Sequence, residues 1–421
     1  MSTVTDQDLL SPELTEDPFA YFARLRAEDP VHWAEANKAW LLTRYDDVVA
    51  AYADPRLSSD RVRPLLGVLP PRRRAEYGPM LETIGHWMVV TDPPAHTRLR
   101  KLANHAFRQQ RVNAMGAWIG ELVDDLLDDF TASGSDDFLN RIAYPLPAAV
   151  IARMMGAPQE DRDKFQHWSD ELALVAFSAG GEDRAARYTR ALTGVRELQE
   201  YLAQLIERRR REPGEDMISL LLGGAGEGGW RRGASEGGAG EDGDHLDDAE
   251  LMALCSLILF AGHETTTNLL CNALVALDRH PAELARLRDD PSLVNRAVEE
   301  VLRFEGPIKI LIRWVVEDHD RDGRQVKAGD RVFLVQQAAN RDGGTFADPD
   351  RFDIGRATQP LHVGFGRGIH ACLGAQLARI EARVALPKIL GRLGGVRVLG
   401  DVTWRPNIAS RAVTGLRVGH A

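Results

Sequence analysis

The run Phe365-Gly366-Arg367-Gly368-Ile369-His370-Ala371-Cys372-Leu373-Gly374 puts one cysteine at the end of a glycine-rich turn, ahead of an apolar, arginine-bearing helical segment. Such a turn can aim a thiolate and several backbone N–H groups at one point. A thiolate is a strong, soft, anionic ligand for iron. The usual fate of a free cysteine is burial in a core, and Cys255 and Cys271, which have no such context, read that way. A second constellation is Ala261-Gly262-His263-Glu264-Thr265-Thr266. Glycine inside a helix is unfavourable by about 1 kcal/mol, and a threonine hydroxyl can bond the carbonyl four residues back, here Ala261, opening the helix locally. An acid beside an alcohol at such a widening can relay protons. The plainer alternative is a glycine packed against another helix with Glu264 in solvent.

Two further pairs have helical spacing. His96 and Arg100 lie four apart on one face, after cap and proline signals in Thr91-Asp92-Pro93-Pro94. Glu300 and Arg303 form an acid–arginine pair at i,i+3, a spacing also common on helix surfaces.

These residues need a scaffold, and the apolar spacing predicts a mainly α protein with minor β. Val31–Trp33 and Trp40–Thr43 read as two strands around a turn, Asp46–Ala53 as a short helix, and 95–210 as mostly helical. The stretch 61–90, with Pro64, Pro70, Pro71 and three consecutive arginines, reads as a loop with broken helix. Residues 223–243 hold ten glycines among 21 residues and are expected to form a flexible exposed loop within a single domain spanning 1–421. The longest helix follows, opened by a capping box at Asp247 and Glu250 and closed by His280-Pro281, about 30 residues or about 45 Å. Short strands are expected at 313–316, 331–335 and 413–418. Pro387 should kink or stop the helix after Cys372 near Leu386.

In their order along the chain the four constellations resemble the cytochrome P450 family: H-x-x-x-R, A-G-x-[D/E]-T, E-x-x-R and F-G-x-G-x-H-x-C-x-G, with every fixed position filled. The resemblance runs from Val31 to the C-terminus. It implies the cytochrome P450 fold, with haem b between the long central helix and the helix after the cysteine, and Cys372 as axial thiolate and metal ligand. Phe365, Gly366 and Gly374 would shape the cofactor's bed. His96, Arg100, Arg313 and His370 match positions that hold its propionates. Ala261, Glu264 and Thr265 match the oxygen groove, where the alcohol steadies bound dioxygen and the acid helps deliver protons. Glu300 and Arg303, with Arg351 as third member, match a structural ion pair. By the same resemblance, substrate contacts fall on Trp87, Val175, Leu259, Ile308, Ile310 and Ile408; Lys309 could meet a carboxylate but reads as pointing outward.

The implied activity is a monooxygenase that inserts one atom of O2 into a lipophilic small molecule, by hydroxylation or epoxidation. Its electrons would come from NAD(P)H through a ferredoxin and a ferredoxin reductase, since no flavin or iron–sulfur segment is readable in the chain. A peroxide-driven haem peroxygenase, or a non-catalytic haem sensor or electron carrier, is the alternative; Glu264 and Thr265 argue against both. A net charge of −10 disfavours wholesale nucleic-acid binding. Three cysteines cannot form a disulfide framework, so a reducing interior is expected. The polar N-terminus and the lack of a spanning apolar stretch give a soluble, cytoplasmic, bacterial-type protein without membrane attachment, expected to be a monomer. Arg98, Lys101, Arg108, Arg111 and Arg367 are candidates for the face that an acidic ferredoxin would meet.

Overall fold

The computed structural model describes residues 4–176, 184–223 and 245–419. Most of the expected glycine-rich loop, 224–243, lies outside them.

The helices of two or more turns are α1 (Phe19–Glu28), α2 (Tyr45–Tyr52), α3 (Val62–Val68), α4 (Pro71–Gly85), α5 (Ala95–Ala106), α6 (Gly116–Ala132), α7 (Pro145–Met155), α8 (Arg162–Ala176), α9 (Arg184–Arg211), α10 (Asp248–Arg279), α11 (Pro281–Asp289), α12 (Val294–Phe304) and α13 (Ala375–Arg392). The main sheet joins β1 (Val31–Ala34), β2 (Ala39–Leu42), β3 (Leu57–Ser58), β4 (Ile310–Val315) and β5 (Arg331–Val335) in the order β1-β2-β5-β4-β3. Only β2 and β5 run parallel, and most of the helical body lies between them in sequence. Parallel neighbours need such a long crossover.

The axis of the molecule is α10. Both arms of its capping box form: Asp247 accepts from the Glu250 N–H at 2.8 Å, and the Glu250 carboxylate accepts from the Asp247 N–H at 3.1 Å. Its 32 residues span about 48 Å. Residues from Leu251 to Leu277 are buried on nearly every face, the pattern of a helix enclosed by others. It packs against α7, α8, α12 and α13.

Three expectations change. Segment 61–90 is mostly helical: α3 and α4 are separated only near Pro70, and Pro71 takes the first helical turn, where a missing N–H costs nothing. Pro387 does not stop α13, which runs on to Arg392, held across the proline by buried Leu386, Ile389 and Leu390. The expected C-terminal strand shrinks to Val418–Gly419, paired with Arg397–Val398.

Candidate active site

The cysteine turn is built by its glycines. Gly366 and Gly368 both have φ of 66°, a left-handed backbone that a side chain would strain. That geometry lets the Cys372 N–H return to the Phe365 carbonyl at 2.8 Å and the Gly366 N–H to Val363 at 2.9 Å. A side chain at Gly374 would meet nothing within 4 Å, so there is open space beside the start of α13. Cys372 is exposed, whereas Cys255 and Cys271 are fully buried. Desolvation by the surrounding chain raises the Cys372 thiol above its usual value, opposed by the Gly374 N–H, Arg100 and Arg379. A bound metal cation would reverse that balance, because a coordinating thiol is deprotonated outright.

On α10 the Thr265 hydroxyl donates to the Ala261 carbonyl at 2.6 Å. Ala261 is exposed and Gly262 half-buried, in a helix otherwise enclosed, so α10 opens onto a hollow at this point. Gly262 also serves the plainer role: a Cβ there would come within 2.5 Å of Ile151 on α7. Glu264 is not in solvent. It is 4% exposed, one carboxylate oxygen has no partner, and burial pushes it up to about 7 against the pull of Arg405. Asp170 on α8 adds its own negative field and is itself pushed up to about 6 by burial.

Beside the cysteine turn, basic side chains collect, and the nearby acid, Asp92, is already engaged by Ser58 and Ser59. His96 and His370 stack with ring centroids 4.1 Å apart, and neither His96 nitrogen has a partner. Arg100 reaches the Ala371 carbonyl at 2.6 Å, and Arg313 donates to the neighbouring Ile312 carbonyl. Neither arginine forms an ion pair among the described residues. Burial and Arg313 push His370 down to about 3, with His96 and Arg100 adding to the effect. A thiolate donor, open space at Gly374 and an uncompensated cationic cluster suit a flat, iron-bearing group with carboxylate arms.

Glu300 and Arg303 are buried, and Arg303 clasps both carboxylate oxygens at 2.7 and 2.8 Å. The third member is Arg356, not Arg351. Arg356 Nε lies 3.1 and 3.2 Å from the two Glu300 oxygens. Arg351 is exposed and offers only its carbonyl, to both Arg303 and Arg356. Arg303 also binds the Asn340 and Pro349 carbonyls, tying down the approach to the cysteine turn.

The expected substrate contacts divide. Leu259 is buried in the main core, with Val175 and Ile308 half-buried against it. Trp87 is fully buried, donates to Ser256 at 2.8 Å and stacks on Phe260 at 5.3 Å, so it fastens the end of the 61–90 segment to α10. Ile310 and Ile408 pack instead with Leu9, Leu14 and Phe22. Lys309 does not point outward. It is 3% exposed at a bulge where its own N–H and that of Ile310 both reach Ala409, and burial pushes its ammonium down to about 7. Of the surface cations, Arg98 is engaged by Glu250 and the His245 carbonyl. Arg367 bonds the Tyr45 hydroxyl.

Two arginines near these clusters escaped the motifs. Arg356 follows the expected Arg351 by five positions and has the same chemical type. Arg61 precedes α3 and has no motif around it.

A family profile described as Cytochrome P450 matches residues 72–394. The chain is 38% identical over 427 residues to the cytochrome P450 monooxygenase PikC of Streptomyces venezuelae, covering 99% of this chain and 94% of that protein. It is 41% identical over 392 residues to the vitamin D(3) 25-hydroxylase of Pseudonocardia autotrophica, covering 92% and 89%. Among solved structures it is similar to P450BioI in complex with hexadec-9Z-enoic acid ligated acyl carrier protein, with TM-score 0.85 and 33% identity over 97% of this chain and 100% of that one.

Proposed function

The chain belongs to the cytochrome P450 family and is a haem-thiolate monooxygenase of small organic substrates, and from that premise we propose that Cys372 is its iron ligand. When bound, the haem supplies activation of dioxygen, one atom entering the substrate and the other leaving as water. His96, Arg100, Arg313 and His370 hold the propionates; Phe365, Gly366 and Gly374 shape the proximal bed. The observation that carries this reading is the coincidence of an exposed cysteine, in a turn of left-handed glycines, with a basic cluster whose nearby acid, Asp92, is already engaged by Ser58 and Ser59.

Ala261 and Thr265 form the oxygen groove. The bond to Ala261 fixes the Thr265 hydroxyl at the opening of α10, where it orients water and dioxygen. Glu264, buried and pushed up to about 7, holds a proton at its carboxyl near neutral pH and can pass it on. The peroxide-driven alternative has no use for this pair.

The substrate is lipophilic, lined by Val175, Leu259 and Ile308; the names of the relatives, which include a vitamin D(3) hydroxylase and a complex with a hexadecenoic acyl carrier, support that class. Electrons arrive from NAD(P)H through a separate ferredoxin and its reductase. A groove of about 380 Å³ lined by Arg296, Arg379, Arg383 and Gln109 lies along α13, and the Arg108–Arg111 segment flanks it. Glu299 in the same lining pairs with Arg379 and Arg383, which leaves an excess of positive charge that an acidic ferredoxin fits; Arg98 is paired with Glu250. No helix among the described residues is long and apolar enough to cross a membrane; the proposed state is a monomer in the cytoplasm.

Turnover with NAD(P)H and a surrogate ferredoxin system, set against peroxide alone, tests the assignment. Thr265→Ala should leave substrate binding intact while NAD(P)H consumption runs on to peroxide. Unchanged coupling of product to NAD(P)H would remove Thr265 from the mechanism.

A further inference from the structure

Arg61 is the cation at this site that no motif announces, and the backbone before it explains its position. Ser58 on β3 pairs with Trp314 on β4, next to Arg313. Ser59 Oγ lies 3.0 Å from His370 Nε2. Two residues on, the chain delivers Arg61 beside Arg313. The carboxylates nearby are already engaged. Asp92 accepts from the Ser58 hydroxyl and the Ser59 N–H. Asp60 accepts from the N–H groups of Val62 and Arg63 and pairs with the Arg63 side chain. Arg61 itself is half-buried and has no ion pair among the described residues; desolvation and Arg313 lower its guanidinium to about 10. An arginine left so, beside a second unpaired arginine, lacks an anion.

Helix α3 begins one residue later, and α4 follows from Pro71. Their far end is fastened to α10 by Trp87, through Ser256 and Phe260. Their near end has no equivalent fastening to α10 through Arg61, whose missing partner is an anion.

We propose that Arg61 binds a haem propionate alongside Arg313, so that the cofactor itself fastens the near end of the 62–85 helices. This rests on the preceding assignment of the cationic cluster to the propionates. It adds a consequence: haem loading sets the order of a segment that leads into the substrate side of the site.

The test uses the haem-loaded protein and the variants Arg61→Gln, Arg61→Lys and Arg100→Gln. Haem transfer to an excess of scavenging apoprotein is followed by absorbance, and amide exchange is followed across 62–85. Arg61→Gln should release haem about tenfold faster, the fold-change expected from one lost charge-assisted hydrogen bond. Exchange across 62–85 should rise while 95–106 stays protected. Arg61→Lys, which keeps the charge, should fall between, and remains measurable if the glutamine variant loads no haem. If Arg100→Gln speeds release and neither Arg61 variant does, Arg61 is not a propionate residue. If none of the three changes release, the cationic cluster is not the propionate site at all.

Discussion

Arg303 is buried and Arg61 half-buried, and the fold treats the two arginines in opposite ways. Arg303 is 2% exposed and fully engaged: Glu300 takes Nε and one terminal nitrogen, and the Asn340 and Pro349 carbonyls take the other. Arg356 completes the charge balance on Glu300 from the opposite side. Around the cysteine turn, Arg61, Arg100, Arg313, His96 and His370 gather with Asp92 as the nearby acid, and Asp92 already serves Ser58 and Ser59. A buried charge without a partner is costly. The first cluster is therefore completed by the chain alone, and the second needs an anion from outside it. That contrast separates arginines that make the fold from arginines that make the site, although the sequence spells both with the same letter.

The largest test of the contrast is Arg303→Ala. It leaves Glu300 with Arg356 as its remaining guanidinium and orphans the buried Asn340 and Pro349 carbonyls, and should cost about 3–5 kcal/mol, seen as haem-poor protein and an early denaturant midpoint. Arg351→Ala, at the exposed neighbour, should stay within about 0.5 kcal/mol. Equal losses in the two would erase the assignment of Arg356 over Arg351.

Next in size is Arg313→Gln. In the haem-loaded protein it should weaken cofactor retention by about 1.5–3 kcal/mol, the range for a hydrogen bond to a charged group. In haem-free protein it removes a charge that has no partner, so stability should hold or rise. A loss of equal size in both forms would make Arg313 a fold residue like Arg303.

Glu264 supplies a third case, an acid buried without a full partner. Its carboxyl is raised from 4.5 to about 7 in the folded chain. Below pH 4.5 it is protonated folded or unfolded and costs nothing. As pH rises from there to about 7 the unfolded chain ionises first, and stability is lost over that window. Glu264→Gln should abolish the loss, gaining about 1–3 kcal/mol over wild type at pH 7 and nothing at pH 4. Urea melts at the two pH values check this, and a pH-independent difference would contradict the buried, proton-holding acid.

The smallest effects belong to fully solvated arginines. Reversing Arg108 and Arg111 should leave stability within about 0.5 kcal/mol and slow electron transfer from an acidic ferredoxin. That slowing should fade as salt screens charges beyond about 8–10 Å. A rate indifferent to salt and to both reversals would move the docking face elsewhere.

Local chemistry was legible wherever it is encoded in contiguous residues. The glycines around Cys372 announce a left-handed turn because few other residues tolerate one, and Asp247 with Glu250 announces the start of α10. The Thr265 bond to Ala261 follows from helical spacing alone. What could not be read is set by contacts between segments distant in sequence. Arg351 and Arg356 are equivalent as letters; which one meets Glu300 depends on how the 347–356 loop folds back. Lys309 is buried because of a bulge against Ala409, and Trp87, Ile310 and Ile408 are assigned to packing by neighbours from other parts of the chain. Pro387 shows tertiary packing overriding a local rule.

The near contact of Gly262 with Ile151 joins two positions 111 residues apart into one heritable unit. A methyl group at 262 collides with the end of the Ile151 side chain, so Gly262→Ala is disfavoured while isoleucine stands opposite. Shortening residue 151 first opens the space and makes the second step permissible. The two substitutions are therefore coupled, and their effects on stability should not add.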